Sequence, residues 1–188
     1  MEAKRDRCME AENLNVRKGV IVADGALLAL NNGDFDNQGG TLLSQGTLDI
    51  ESGAVNNQDG FLASNGTFNF TGGDVDNRLG QFGTDSTLNA RFDNFINEQG
   101  AVKAGGDMTL DGTSLVNDNA GLIQSGGTLN ASAQRISNRN SGKTGGIISL
   151  GDTTLAADTV DNSNGVAYAG KGINVSGETL NNAAGQLV

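Results

Sequence analysis

The chain has no proline, no tryptophan and no histidine, and it has a single cysteine, Cys8. Each absence removes something. Without histidine, nucleophile–base triads of the usual kind are unavailable. One cysteine permits no internal disulfide. That suits the cytosol, and it equally suits a chain that must cross a narrow secretion pore unfolded. Without proline, the backbone hydrogen-bond ladder need never be broken. Aromatic residues make up 4% of the sequence, and all seven phenylalanines lie between Phe35 and Phe95. No lysine or arginine occurs between Lys18 and Arg78, where eight acidic residues do. The net charge of −10 argues against nucleic acid or an anionic membrane surface as partner. No apolar run approaches the roughly 18 residues of a membrane helix, so membrane insertion is not expected. Residues 1–13 carry seven charges and no apolar core, which rules out a signal peptide there. The expectation is a cytosolic chain or a piece of something longer.

What is present is a repeat. Write Val55 to Asp74 beneath Phe35 to Ala54, and Asn57 falls under Asn37, Gly60 under Gly40, Leu62 under Leu42 and Phe70 under Ile50. Asparagine recurs as Asn37, Asn57, Asn77, Asn97, Asn117, Asn138, Asn162 and Asn182, mostly at intervals of twenty. A fixed period of this size signals stacked repeats. Turns open at Leu14, Phe35, Val55, Val75, Phe95, Leu115, Ile136, Val160 and Leu180. Eight are complete, and the ninth stops at Val188. A solenoid normally caps its last hydrophobic turn, so the natural chain is expected to continue. Residues 1–13 fall outside the pattern, as a disordered leader, a short helical cap, or residues foreign to the natural chain. The repeat domain is 14–188.

Within a turn, apolar and polar residues alternate over short runs, which is the strand signal. Counting from each turn's glycine, one apolar column runs Ile21, Leu42, Leu62, Phe82, Val102, Ile123, Ile148, Ala167, Leu187. A second runs from Leu27 through Leu48, Phe68, Leu88, Met108 and Leu129, slips to Leu155, and resumes at Ile173. A third holds Ala29, Ile50, Phe70, Ala90, Leu110 and Ala131, then a shifted Ala157 and Val175. The turn-opening residues make a fourth. A mostly small column, including Ala23, Ser44, Ser64, Ser125 and Leu150, lies between them. Each should be an inward-facing stack, with partners such as Thr47, Asp49 and Glu51 outward.

Twenty residues with no helical segment cannot return by a helix. They can wind once around a coil of three short strands, each paired with the coils above and below. The pattern therefore predicts an all-β, right-handed parallel β-helix about 40 Å long at the roughly 4.8 Å strand spacing. The recurring glycine sits either where φ is positive or where stacked backbones approach closely. The asparagine column has two readings, an inward ladder of side-chain amides or a left-handed corner. Both are structural, and the ladder is the reading adopted.

The turn from Ile136 to Thr159 is four residues longer than the rest, mostly within Asn138–Gly146. Insertions in a solenoid become protruding loops, often on the binding side. Arg139 and Lys143 make this a possible interaction loop, against the plainer reading of a tolerated insertion. Gly142-Lys143-Thr144 lacks the earlier glycine and the strand-to-helix context of a phosphate loop. Asp34/Asp36 and Asp74/Asp76 do not continue into a calcium loop. No metal, cofactor or catalytic residue is assigned. Carbohydrate-active β-helices need carboxylates gathered at one groove, whereas these recur by register.

Residues 14–188 resemble the haemagglutinin repeat of filamentous haemagglutinins and related two-partner-secreted exoproteins. The carriers are Phe35-Asp-Asn-Gln-Gly-Gly-Thr-Leu, Val75-Asp-Asn-Arg-Leu-Gly-Gln-Phe, and Gly46-Thr-Leu with its copies. Val16, Ser86 and 138–146 depart from the pattern. The resemblance implies a non-enzymatic, right-handed β-helical rod on the bacterial surface or secreted. It would serve in adhesion or contact-dependent growth-inhibition toxin delivery and virulence. It also implies export of the full-length protein through an outer-membrane two-partner secretion transporter, and a possible receptor or glycan on a target cell. A carbohydrate-active enzyme and a specific receptor-binding segment are the rival readings.

Overall fold

The computed structural model describes residues 6–31 and 33–188. The strands are parallel and stack in about nine coils about 20 residues apart, and the described residues contain no helix. The chain is a β-solenoid with three faces. Face A carries strands such as Leu48–Ser52 and, one coil on, Phe68–Gly72. Face B carries Thr41–Ser44 and then Phe61–Ser64. Face C is made of two- and three-residue strands such as Phe35–Asp36 and Val55–Asn56. Face B is a nine-stranded sheet by itself. Faces A and C join into a sixteen-stranded sheet, because the nine-residue strands Leu129–Ser137 and Thr153–Asp161 run from one face to the other without a break.

The alternation in sequence becomes the wall of the coil. On face A, Leu48 and Ile50 are buried while Asp49 between them is not. Residues one coil apart are ladder partners, Phe68 with Leu48 and with Leu88. The core is therefore a set of vertical stacks, each side chain resting on its equivalents above and below. Burying a leucine or phenylalanine in this way contributes about 1.5–3 kcal/mol. The phenylalanines concentrate around Phe82, whose ring stacks on Phe68 at 4.5 Å and meets Phe95 edge-on at 5.4 Å.

Most corners between faces C and B are four-residue turns, and those after Asn117 and Asn138 are longer. The Gly40 N–H donates to the Asn37 carbonyl at 2.9 Å, and Gly60 to Asn57 at 3.1 Å. The residue before the asparagine braces it, since the Asp36 carboxylate accepts from the Gln38 N–H at 3.0 Å and Asn56 does the same for Gln58. Of the two reasons for the recurring glycine, close approach is the one that holds. A Cβ on Gly80 would sit 2.1 Å from the Asn57 carbonyl oxygen of the coil above. The left-handed conformation belongs to the residue before it, with φ of 53° at Asp59 and 59° at Leu79.

Four column assignments change in the long turn. The equivalent of the recurring glycine there is Gly145, not Gly146, because the extra residues precede it and Gly146 pairs with Leu122. Ile147, not Ile148, therefore fills the first column, and Ser149 fills the small column while Leu150 is exposed. On face A no slip occurs: Thr153 takes the second column and Leu155 the third, with Ala157 beyond it beside Ala133. A polar core residue is tolerated because the Thr153 and Ser149 hydroxyls bond to each other at 2.7 Å. At the other end, Arg7–Ala11 lies outside the sequence repeat yet is a strand, paired with Leu27–Asn31 so that Met9 continues the Ala29 stack.

Candidate functional site

The eight asparagines lie in one line through the rod. Asn37 Nδ2 donates to Asn57 Oδ1 at 2.7 Å, and the same bond recurs at every step down to Asn182. The second amide hydrogen goes to a backbone carbonyl, as from Asn57 to Gln81 at 2.9 Å and from Asn138 to Val166 at 2.9 Å. All but Asn182 are buried. The longer turn does not interrupt the line, since Asn138 Nδ2 reaches Asn162 Oδ1 at 2.7 Å across a 24-residue separation. Every link runs the same way, donor toward the carboxyl-terminal coil. The amino-terminal end thus carries a free acceptor. Val16 occupies the next corner, and Asn37 Oδ1 is buried with no hydrogen-bond partner among the described residues.

The loop after Asn138 is organised by a residue that sequence reasoning passed over. Asp118 is buried, and its carboxylate accepts from the Ser137 hydroxyl at 2.7 Å and the Arg139 backbone N–H at 2.8 Å. Arg139 also closes over it with Nε at 2.9 Å and Nη2 at 2.6 Å. The hydrogen bond from Arg139 to Asp118 raises the arginine above its ordinary pKa. Arg139 therefore anchors the loop, while Lys143 stands exposed at its tip. The missed signal was spacing, because opposite charges one coil apart are neighbours in a solenoid.

Other carboxylates are likewise engaged in local structure. Asp34, Asp36, Asp74 and Asp76 line a groove on face C where Ala54 is small. Asp34 accepts from the Ala54 N–H, Asp74 from the Asn94 amide, and Asp36 and Asp76 pair with Arg17 and Arg78. No group of three or more histidine, cysteine, aspartate or glutamate residues among the described residues has metal-binding geometry. Burial pushes Asp76 up, but hydrogen bonds from Arg78 and Gln58 outweigh it and hold the carboxyl below its usual value. Asp161 behaves alike, burial opposed and outweighed by the Ser163 hydroxyl and N–H. A general acid needs the opposite shift.

The three outer faces are chemically different. Face A presents Asp49, Glu51, Asn69, Arg91 and Asp111. Face B presents Val22, Leu43, Phe61 and Tyr168, with an open groove along Phe61, Gly83 and Lys103. The outward partners expected from the columns, Asp49 and Glu51, lie on face A, and the apolar character of face B was not anticipated.

A family model described as Haemagglutinin repeat matches residues 2–78, 55–149 and 138–188. The chain belongs to the haemagglutinin-repeat family. The three matches overlap and together run along the solenoid. No curated protein and no solved structure matches the chain.

Proposed function

We propose that these haemagglutinin repeats are a non-enzymatic rod segment of a secreted or surface-exposed bacterial exoprotein used in adhesion or contact-dependent toxin delivery. The observation that carries this reading is the unbroken asparagine line, which ties successive coils into one continuous element. Its partners would be an outer-membrane two-partner secretion transporter and a receptor or glycan on the target cell. The lack of disulfides and the nearest-neighbour contacts of a solenoid suit export unfolded and assembly coil by coil.

A spacer depends on the number of coils and not on the surface of one. Excising Val55 to Asn94 removes two whole coils and rejoins the stacks in register at Phe95. The rod should refold about 10 Å shorter and keep most adhesion or delivery activity in the full exoprotein. Removing only Val55 to Ser64 should collapse the fold. Complete loss of activity in the two-coil deletion, with folding and display intact, would place a binding site within residues 55–94 and end the spacer reading.

A further inference from the structure

On the eight face B strands from Val20 to Ala169, the outward positions carry no acidic residue and one cation, Lys103. In a chain of net charge −10 this is the surface across which two copies repel each other least. It is also apolar, with Val20 71% and Tyr168 42% exposed. Apolar surface repeated over many coils marks an association site.

The order of residues along it says what the partner is. One outward rank pairs coil by coil from Val22 through Gly83 and Lys103 to Tyr168. Place a two-fold axis parallel to the strands and just outside the sheet, midway between Gly83 and Lys103. Two copies then meet face to face with their rods antiparallel. Lys103 enters the gap left by Gly83, and Ala63 meets Gln124, so small faces large at both places. Further out, Leu43 meets Ile148 and Val22 meets Tyr168, apolar on apolar. The second rank behaves the same way, with Phe61 on Leu122 and Val20 on Val166. A self-complementary patch is what a two-fold interface requires.

We propose that face B is a homodimer interface, with a second copy of this chain packed antiparallel about a dyad between Gly83 and Lys103. The ammonium of each Lys103 then reaches the rim of the opposing groove, where Asp85 of the other copy lies. Eight coils at about 4.8 Å and four-residue strands of about 13 Å make a contact of about 500 Å² per copy in plane area. That reaches the roughly 1,000 Å² total of a specific interface, at its lower end, so the dimer is reversible and concentration-dependent.

Sedimentation velocity across a concentration series tests this on the whole chain. The expected result is a monomer–dimer equilibrium that Leu43→Glu weakens by about tenfold or more, by setting unmatched charge in the contact. Thr71→Glu, on face A, should leave it unchanged. Both side chains point outward, and far-UV circular dichroism should show both variants folded. In a Cys8→Ser background, a mixture of Leu43→Cys and Ile148→Cys chains should form a disulfide-linked heterodimer under mild oxidation. Neither should cross-link to itself. A wild-type chain that stays monomeric, or a dimer indifferent to Leu43→Glu, overturns the interface. Self-linking of Leu43→Cys overturns the antiparallel arrangement.

Discussion

The unpaired oxygen at the end of the asparagine line offers a direct measurement of what the line contributes. Asn37 Oδ1 is buried and accepts no hydrogen bond among the described residues because the coil above places Val16 at that corner. The backbone there already has the turn geometry of the other coils, with the Gly19 N–H donating to the Val16 carbonyl at 2.7 Å. In Val16→Asn the new amide would donate to Asn37 Oδ1 as every later asparagine donates to its neighbour. Satisfying a buried acceptor is worth about 1–3 kcal/mol. Against this stands the lost burial of a valine, about 1.5 kcal/mol at the low end of its range. Faces B and C both end at this coil among the described residues, so the new oxygen would point along the axis away from the coils below, at a corner where Val16 is 5% exposed.

The net expectation is stabilisation of about 0.5 kcal/mol, or about 1–2 °C in melting temperature for a chain of this size. Asn77→Val is the mirror change in the middle of the line. It leaves one hydrogen of the Asn57 amide and the Asn97 oxygen without partners, while the Asn57 bond to the Gln81 carbonyl remains, and should destabilise by roughly 2–5 kcal/mol. Urea titration followed by circular dichroism measures both, with Asn181→Ala, exposed and off the line, as a near-silent control. If Val16→Asn destabilises as Asn77→Val does, the amide line is not what holds these corners, and the reasoning fails.

Two further changes probe the corners and the loop. Arg139→Ala should cost about 1–3 kcal/mol, because the buried Asp118 carboxylate loses its cation and keeps only the Ser137 hydroxyl and the residue 139 backbone N–H, and Asp118→Asn in the same chain should recover part of it by thermal melting. Gly80→Ala should destabilise by at least about 1–3 kcal/mol, because its Cβ meets backbone and not a movable side chain. By contrast Leu79→Gly should be neutral or slightly stabilising, since it relieves a left-handed leucine at a cost of about 0.5–1 kcal/mol in chain entropy. The reverse order of the last two would mean that conformation, and not close approach, selects the glycine.

The fold was legible because a solenoid is nearly one-dimensional. Residues one period apart are ladder partners, so Asn57 beneath Asn77 on paper is Asn57 bonded to Asn77 in space. Where the period slipped, sequence reasoning went astray by one or two residues, at Ile148, Leu150, Leu155 and Ala157. The pattern marks how many residues a turn gained, but not on which side of its glycine the chain bulges. Only the ladder pairing of Gly146 with Leu122 decides that.

The sequence by itself determined the repeat, the strand class, the inward columns and the asparagine line, all of which follow from spacing along one chain. The tertiary structure decided what depends on neighbours at other heights and on the finished shape of the wall. Asp118 is an ordinary loop aspartate until Ser137 and Arg139 of the next coil close over it. Tyr168 and Val22 are isolated outward residues until eight coils set them in one rank. Burial is a property of the assembled surface, and periodicity alone does not distinguish an outward residue facing water from one left open for a partner.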